Sequence, residues 1–254
     1  MSDTFASGSI LKHYDALDST NLEAKRLIAD GEAGPVWIIA DRQTTGYGRR
    51  GAAWFQEAGD LAASLIFTPA KSDKHVGQLS FAAALAVADA INAAATNAEV
   101  KLKWPNDILI GGAKISGILL ELMTRPGASS AVVLGVGVNI VSKPSGADYP
   151  VTRLLDMLDG AAPPPKALLA SIDAALFKWM EVWDKQGFAP IRDAWLQQAQ
   201  NVGGPITVRL PQETLSGIFD GLDHDGSLIL STPDGVKRIT AGAVYFGETD
   251  AARN

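Results

Sequence analysis

The stretch Thr44 to Trp54, TTGYGRRGAAW, sets the adjacent guanidiniums of Arg49 and Arg50 among Gly46, Gly48 and Gly51 and closes on Trp54. Glycine carries an ordering cost and neighbouring cations repel, so such a loop makes sense where an anion arrives. Arginine offers phosphate or carboxylate oxygens a planar fork of N–H donors that lysine cannot copy. The plain alternative is a solvated surface loop. Further residues with chemical potential are Lys103 and Asp107 at the ends of KWPND, Lys114 just past Gly111-Gly112, the Ser19-Thr20-Asn21 triplet, and Asn139 at the end of GVGVN.

Gly46-x-Gly48-x-x-Gly51 matches the dinucleotide fingerprint by letter, but its context is wrong, because a strand pattern rather than a helix follows it. No G-x-x-x-x-G-K-[ST] run is present, so bound ATP would not sit on a P-loop. The chain has 254 residues, a net charge of −6, no cysteine and three scattered histidines, which argues against a general nucleic-acid binder, a disulfide scaffold and a thiolate or histidine metal centre. No basic start followed by an apolar run suggests a signal peptide, and the apolar run 81–95 looks too short and too polar for a bilayer span. A cytoplasmic protein is expected.

The elements that must hold these residues follow from pattern. A capping-box spacing of Thr20 and Glu23 predicts a helix that exits at Gly31. Runs 36–40 and 61–67 read as strands joined by the arginine loop, 76–95 as a buried Ala-rich helix, and 100–104 as a strand stopped by Pro105. Gly111-Gly112 predicts a hairpin within 107–121, and Gly135 and Gly137 leave space beside a strand at 131–140. A helix over 166–186 carries Leu168, Ile172, Leu176, Trp179 and Trp183 at core spacing. After residue 203, short runs at 206–210, 215–220, 227–231, 237–240 and 243–246 predict a small β-barrel. The simplest assembly is α+β: a mixed, mostly antiparallel sheet with helices on one side, plus that barrel.

Five segments in order, Asp18 to Asn21, Gln43 to Trp54, Lys103 to Asp107, Gly112 to Glu121 (GAKISGILLE) and Gly135 to Ile140, resemble the catalytic domain of biotin protein ligases, and Gly217 to Leu230 with Ala241 to Gly247 resembles that family's SH3-like C-terminal domain. The resemblance implies a class II synthetase-like catalytic domain over 1–202 and the small domain over 203–254. It implies formation of biotinoyl-AMP from biotin and ATP, with Mg²⁺ arriving with the nucleotide, then transfer to one lysine of a biotin carboxyl carrier domain of acetyl-CoA carboxylase or a related carboxylase.

The resemblance assigns roles residue by residue. Arg49 and Lys114 would meet the carboxylate and α-phosphate, and Asp107 would orient the acceptor amine, only about 0.1% of which is deprotonated at neutral pH. Ser19, Thr20, Asn21, Gln43, Gly46, Tyr47, Lys114 and Gly117 would line the biotin site; Arg49, Arg50, Trp54, Lys103, Asn106 and Asn139 would hold the adenylate, with the loop disordered until ligand binds. Helix capping by the Ser19 to Asn21 triplet, a turn at Asn106 and Asp107, ordinary packing of Trp54 and a strand-end bond of Asn139 remain alternatives.

Tyr47 and Ala52 replace arginines of the family's G-R-G-R-R-G-R loop, and Glu57 to Asp60 replaces its S-P-x-G-N. The motifs begin so near the N-terminus that a short form without a DNA-binding domain, and so without operator binding, is expected; with no spanning apolar run, no membrane partner is expected either. A homodimer stays open. A lipoate or octanoate ligase of the same fold, or a binding-only relative, is the competing expectation.

Overall fold

The computed structural model describes residues 3–69, 73–125 and 128–246. An eight-stranded sheet runs in the order β1 (Asp3–Thr4), β2 (Ile10–Tyr14), β3 (Val36–Ala40), β4 (Leu61–Phe67), β8 (Ala128–Val138), β7 (Ala113–Arg125), β6 (Asp107–Ile110), β5 (Val100–Lys103). β2 and β3 pair in parallel across the crossover helix α1 (Thr20–Ala29), and every other ladder in the sheet is antiparallel.

All residues of β3 and β4 are buried, as continuous apolar runs require when both faces of a sheet are covered. Trp37, Ile39, Leu61 and Leu65 join a large core with α2 (Leu79–Ala94), α3 (Pro165–Gln186) and α4 (Ala189–Gln198). Ile38 and Ile66 point the other way and pack with Ala131, Val133 and the α1 residues Ala24 and Ile28. Helices therefore cover both faces, correcting the expectation of one side. That expectation failed because the single-sided apolar stripe of α1 says nothing about which face it meets.

The expected capping box is also absent. Ser19 occupies the N-cap position with extended backbone (φ −157°, ψ 140°) but makes no side-chain cap bond. The Glu23 carboxylate is taken by Tyr14 Oη and Arg26 Nε instead. The helical run His75–Ala94, as long as the helix expected over 76–95, is by length and composition apolar enough to cross a membrane, as the apolar stretch 81–95 alone was expected not to be, yet 72% of its most apolar stretch is buried within the fold. β1, β2 and α4 carried too little patterning to be foreseen: β2 buries only Leu11, and α4 only Ile191 and Trp195.

The C-terminal strands β9 (Pro205–Arg209), β10 (Thr214–Leu222), β11 (Leu228–Thr232), β12 (Gly235–Ile239) and β13 (Ala243–Tyr245) fall where expected. Their ladders make a five-stranded antiparallel sheet in the order β12-β11-β10-β9-β13, with β12 and β13 at its edges; Gly247 of the AGAVYFG segment lies outside the described residues. Ile206, Phe219 and Leu228 share the large core, and Trp104 Nε1 donates to the Gly226 carbonyl at 3.1 Å, so this sheet seats on the larger unit beside KWPND.

Candidate active site between the arginine loop and the sheet

Register builds the floor of the site. Ala62 of β4, Gly137 of β8, Gly117 of β7 and Asp107 of β6 pair in one cross-strand row. Facing side chains stack along such a row, so two glycines and an alanine leave a trench on the α1 face that ends at a carboxylate. Trp54 lies in it: a Cβ at Gly137 would stand 2.3 Å from the indole, and one at Gly117 would touch both the indole and the Lys114 side chain. Nε1 of Trp54 is buried without a hydrogen-bond partner, a cost of roughly 1–3 kcal/mol.

The arginine loop folds over this trench as a small flap. Gly48 N–H donates to Ala52 O (2.7 Å), Trp54 N–H donates to Gly46 O (2.9 Å), and Tyr47 bridges Ala53. A Cβ on Gly46 would come within 2.7 Å of both Gln43 Nε2 and Trp54 O, so only glycine fits where the flap leaves the body. One 3₁₀ turn, Arg49–Gly51, forms its tip, with Arg50 in left-handed backbone at φ 56°.

Two polar ends flank the trench. At one end, Asp107 accepts from Lys114 Nζ at 2.6 Å, and Arg49 Nη1 donates to Asn106 Oδ1 at 3.3 Å. Asn106 is held in turn by its Nδ2 bond to Ile118 O. Lys114 Nζ lies 6.0 Å from the Trp54 ring centroid and 5.5 Å from that of Tyr149. Burial pushes the Arg49 guanidinium below its usual ionisation range, Arg50 adds to the effect, and Asp107 counters it. Both are conditions in which an arriving anion is welcome.

At the other end, the first turn of α1 supplies the groups. Thr20 N–H and Oγ1 both donate to Gln43 Oε1, at 2.8 and 3.2 Å. Ser64 Oγ reaches Thr20 Oγ1 (2.8 Å) and Asn21 Oδ1 (2.5 Å), and Asn21 Nδ2 donates to Glu121 Oε2 (2.8 Å). Gly135 admits Asn21, whose Oδ1 would stand 2.4 Å from a Cβ there.

Ser19, Thr20, Asn21, Gln43, Tyr47, Arg49, Trp54, Asn106, Asp107, Lys114 and Gly117 thus line one cavity. Gly46 lies just outside it, against Gln43 and Trp54. Three candidates are not brought in. Arg50 is exposed, away from the cavity, because the left-handed turn at the flap tip directs it outward. Lys103 lines an adjoining cleft between the two sheets that shares Arg49, Asn106, Asp107, Lys114 and Tyr149 with the cavity, and its Nζ lies 5.6 Å from the Tyr245 ring and 5.4 Å from that of Phe246. Asn139 is buried and spends Nδ2 on Thr152 O at 3.0 Å, the strand-end role. Sequence reasoning passed over Tyr149, set in a segment read only as loop, and over Lys25, whose i, i+4 spacing from Asn21 was the available signal.

Residues 15–139 match the family described as Biotin/lipoate A/B protein ligase, and residues 202–247 match the Biotin protein ligase C terminal domain. The chain is 41% identical to a biotin–[acetyl-CoA-carboxylase] ligase from Paracoccus denitrificans, over 91% of this chain and 98% of that protein. It is 31% identical to a bifunctional ligase/repressor from Bacillus subtilis, over 96% of this chain and 76% of that one. Its fold superimposes on biotin protein ligase from Aquifex aeolicus, solved with biotin and ATP, with a TM-score of 0.80 at 24% identity, covering 92% of this chain and 97% of that one. With these likenesses running almost end to end, and with the motif residues gathered around one cavity, the chain belongs to the biotin protein ligase family.

Proposed function

We propose that this chain is an ATP-dependent ligase that forms biotinoyl-AMP and passes biotin to a lysine of a carboxylase carrier domain. The arrangement that carries the reading is the Lys114–Asp107 pair at one end of the trench, with Arg49 on Asn106 above it. In the first step a biotin carboxylate oxygen bonds to the α-phosphorus, the α–β P–O bond breaks, and pyrophosphate leaves. Carboxylate and phosphate repel, and the fixed cations of Lys114 and Arg49 offset that repulsion. The donor-rich first turn of α1 would hold the ligand's far end, and Trp54 would move from the trench to cover the nucleotide, where its unpaired N–H gains a partner.

In the second step the acceptor amine attacks the acyl carbon, AMP leaves, and Asp107 receives the amine proton. The flap shields the mixed anhydride from water meanwhile. Mg²⁺ would arrive on the nucleotide and neutralise phosphate charge: among the described residues no three acidic, histidine or cysteine side chains are grouped so as to hold a metal ion, and Asp107, the one carboxylate lining the cavity, fits that ion's usual reliance on one or two carboxylates plus phosphates. Such a ligase would act in the cytoplasm, with the catalytic domain over residues 1–202 and the small domain over 203–254.

The test is pyrophosphate release and carrier labelling by the purified chain with ATP, Mg²⁺ and biotin. Biotin-dependent release is expected, with Asp107→Asn retaining it while losing roughly a hundredfold or more in transfer. Release driven by lipoate or octanoate in preference to biotin would reassign the acid, and tight adenylate binding without turnover would leave only a binding protein.

A further inference from the structure

Lys25, Tyr47 and Glu121 form a closed triangle that the chemistry above does not use. Lys25 Nζ donates to Glu121 Oε1 at 2.7 Å and to Tyr47 Oη at 3.1 Å, and Tyr47 Oη donates to Glu121 Oε2 at 3.0 Å. Each corner comes from a different part: the α1 face one turn beyond Asn21, the base of the flap, and β7. Lys25 and Glu121 are only 29% and 25% exposed, so their interaction is less screened than that of a surface pair. Burial works against the Lys25 ammonium, but Glu121 and Tyr47 more than offset it and raise its ionisation range; the same contacts hold Glu121 below its usual range despite burial.

The position of Tyr47 gives the triangle leverage. It directly follows the sterically fixed Gly46 and bridges Ala53, so it joins both arms of the flap. Fixing its hydroxyl fixes the arm that carries Arg49 and the arm that carries Trp54. Glu121 also accepts from Asn21, which ties the same carboxylate to the donor-rich end of the cavity. In this chain a neutral phenol stands where the family's loop pattern has arginine, and it is held by an internal ion pair instead of repelling its cationic neighbours.

We propose that Lys25 and Glu121 are positioning residues that latch the arginine flap to the body through the Tyr47 hydroxyl, setting how long the flap retains biotin and its adenylate. The retention half of this proposal rests on the ligase reading, whereas the latch itself does not.

Trypsin supplies a readout free of that reading, because Arg49 and Arg50 at the flap tip are its own cleavage sites and cutting tracks the open population. Tyr47→Phe removes one oxygen and leaves the ring. Losing hydrogen bonds to charged groups is expected to speed cutting at residues 49 and 50 of the ligand-free protein by about tenfold or more. Lys25→Met should do the same and Lys25→Arg should restore resistance. In turnover, Lys25→Met, which lies outside the cavity lining, should raise the KM for biotin and the rate of adenylate loss by a similar factor, with kcat nearly unchanged. Wild-type cutting in both Tyr47→Phe and Lys25→Met overturns the latch, as does a general loss of protease resistance with lowered Tm but no selective cutting at the flap. Faster cutting with unchanged KM and adenylate loss overturns the retention role. Failure of the wild type to release pyrophosphate would count against the ligase reading alone, and the trypsin comparison would still decide the latch.

Discussion

The two faces of the eight-stranded sheet are built from the same strands and do opposite work. Under α2, α3 and α4 the face is filled by side chains such as Trp37, Leu61, Leu65, Leu85, Ile91 and Ile118. On the α1 face the apolar packing is a small cluster of six buried residues, Ile38 and Ile66 among them, edged by Tyr14, Leu17, Leu27 and Met123, and beyond it the side chains shrink to Ala62, Gly117, Gly135 and Gly137. Strand alternation lets one sequence specify both: Val136 and Val138 fill the core while Gly135 and Gly137, between and beside them, clear the trench. Most of the apolar packing sits on one face and the open space on the other, although the helical face also buries the Asp173 carboxylate, which accepts from Trp37 and Ser9 and leaves Oδ2 without a partner.

If that division holds, substitutions on the two faces should separate catalysis from stability. The largest effect is expected from Lys114→Met. Removing a fixed cation from a developing charge typically costs about 10²–10³ in rate, so biotin-dependent pyrophosphate release should fall by that order while Tm changes little. A comparable loss of Tm would show that the pair with Asp107 supports the fold instead. Leu85→Ala on the helical face should do the reverse. Leu85 is fully buried, so a denaturant titration should lose about 2–5 kcal/mol while the KM for biotin stays put. A shift in KM would mean that the faces are mechanically coupled through β4 and β8.

The smallest effect concerns acid. The Glu121 carboxyl is opposed by burial but held below its ordinary value by Lys25, Asn21 and Tyr47. A depressed folded-state value gives a stabilising contribution that is complete above the unfolded-state value, near 4.3, and is lost as pH falls through the folded one. Wild type should therefore exceed Glu121→Gln in stability at pH 7, and the gap should close below about pH 4. A gap that widens on acidification would refute the assignment.

Much of this was visible in the residues. The boundaries of β3 and β4, the turn at Gly111-Gly112 and the five C-terminal strands follow from apolar runs and glycine placement, which are local properties. Most of the residues singled out from the sequence gather at one cavity, since motifs cluster near the cavity they build. Arg50 does not, because two adjacent arginines look alike until the backbone turns one inward and the other out. Asn139 also sits apart from the cavity, with its amide on a neighbouring carbonyl.

The sequence by itself determined which segments form strands and helices, and which side chains bring charge, because period, turn residues and ionisable groups are written along the chain. Only the tertiary structure decided that α1 lies opposite the other helices, that Ala62, Gly137, Gly117 and Asp107 fall into one row, and that Lys25 and Glu121 meet at Tyr47. These depend on register and on contacts between distant residues, such as Lys25 with Glu121 at 96 positions apart and Asn21 with Glu121 at 100, which no local pattern encodes.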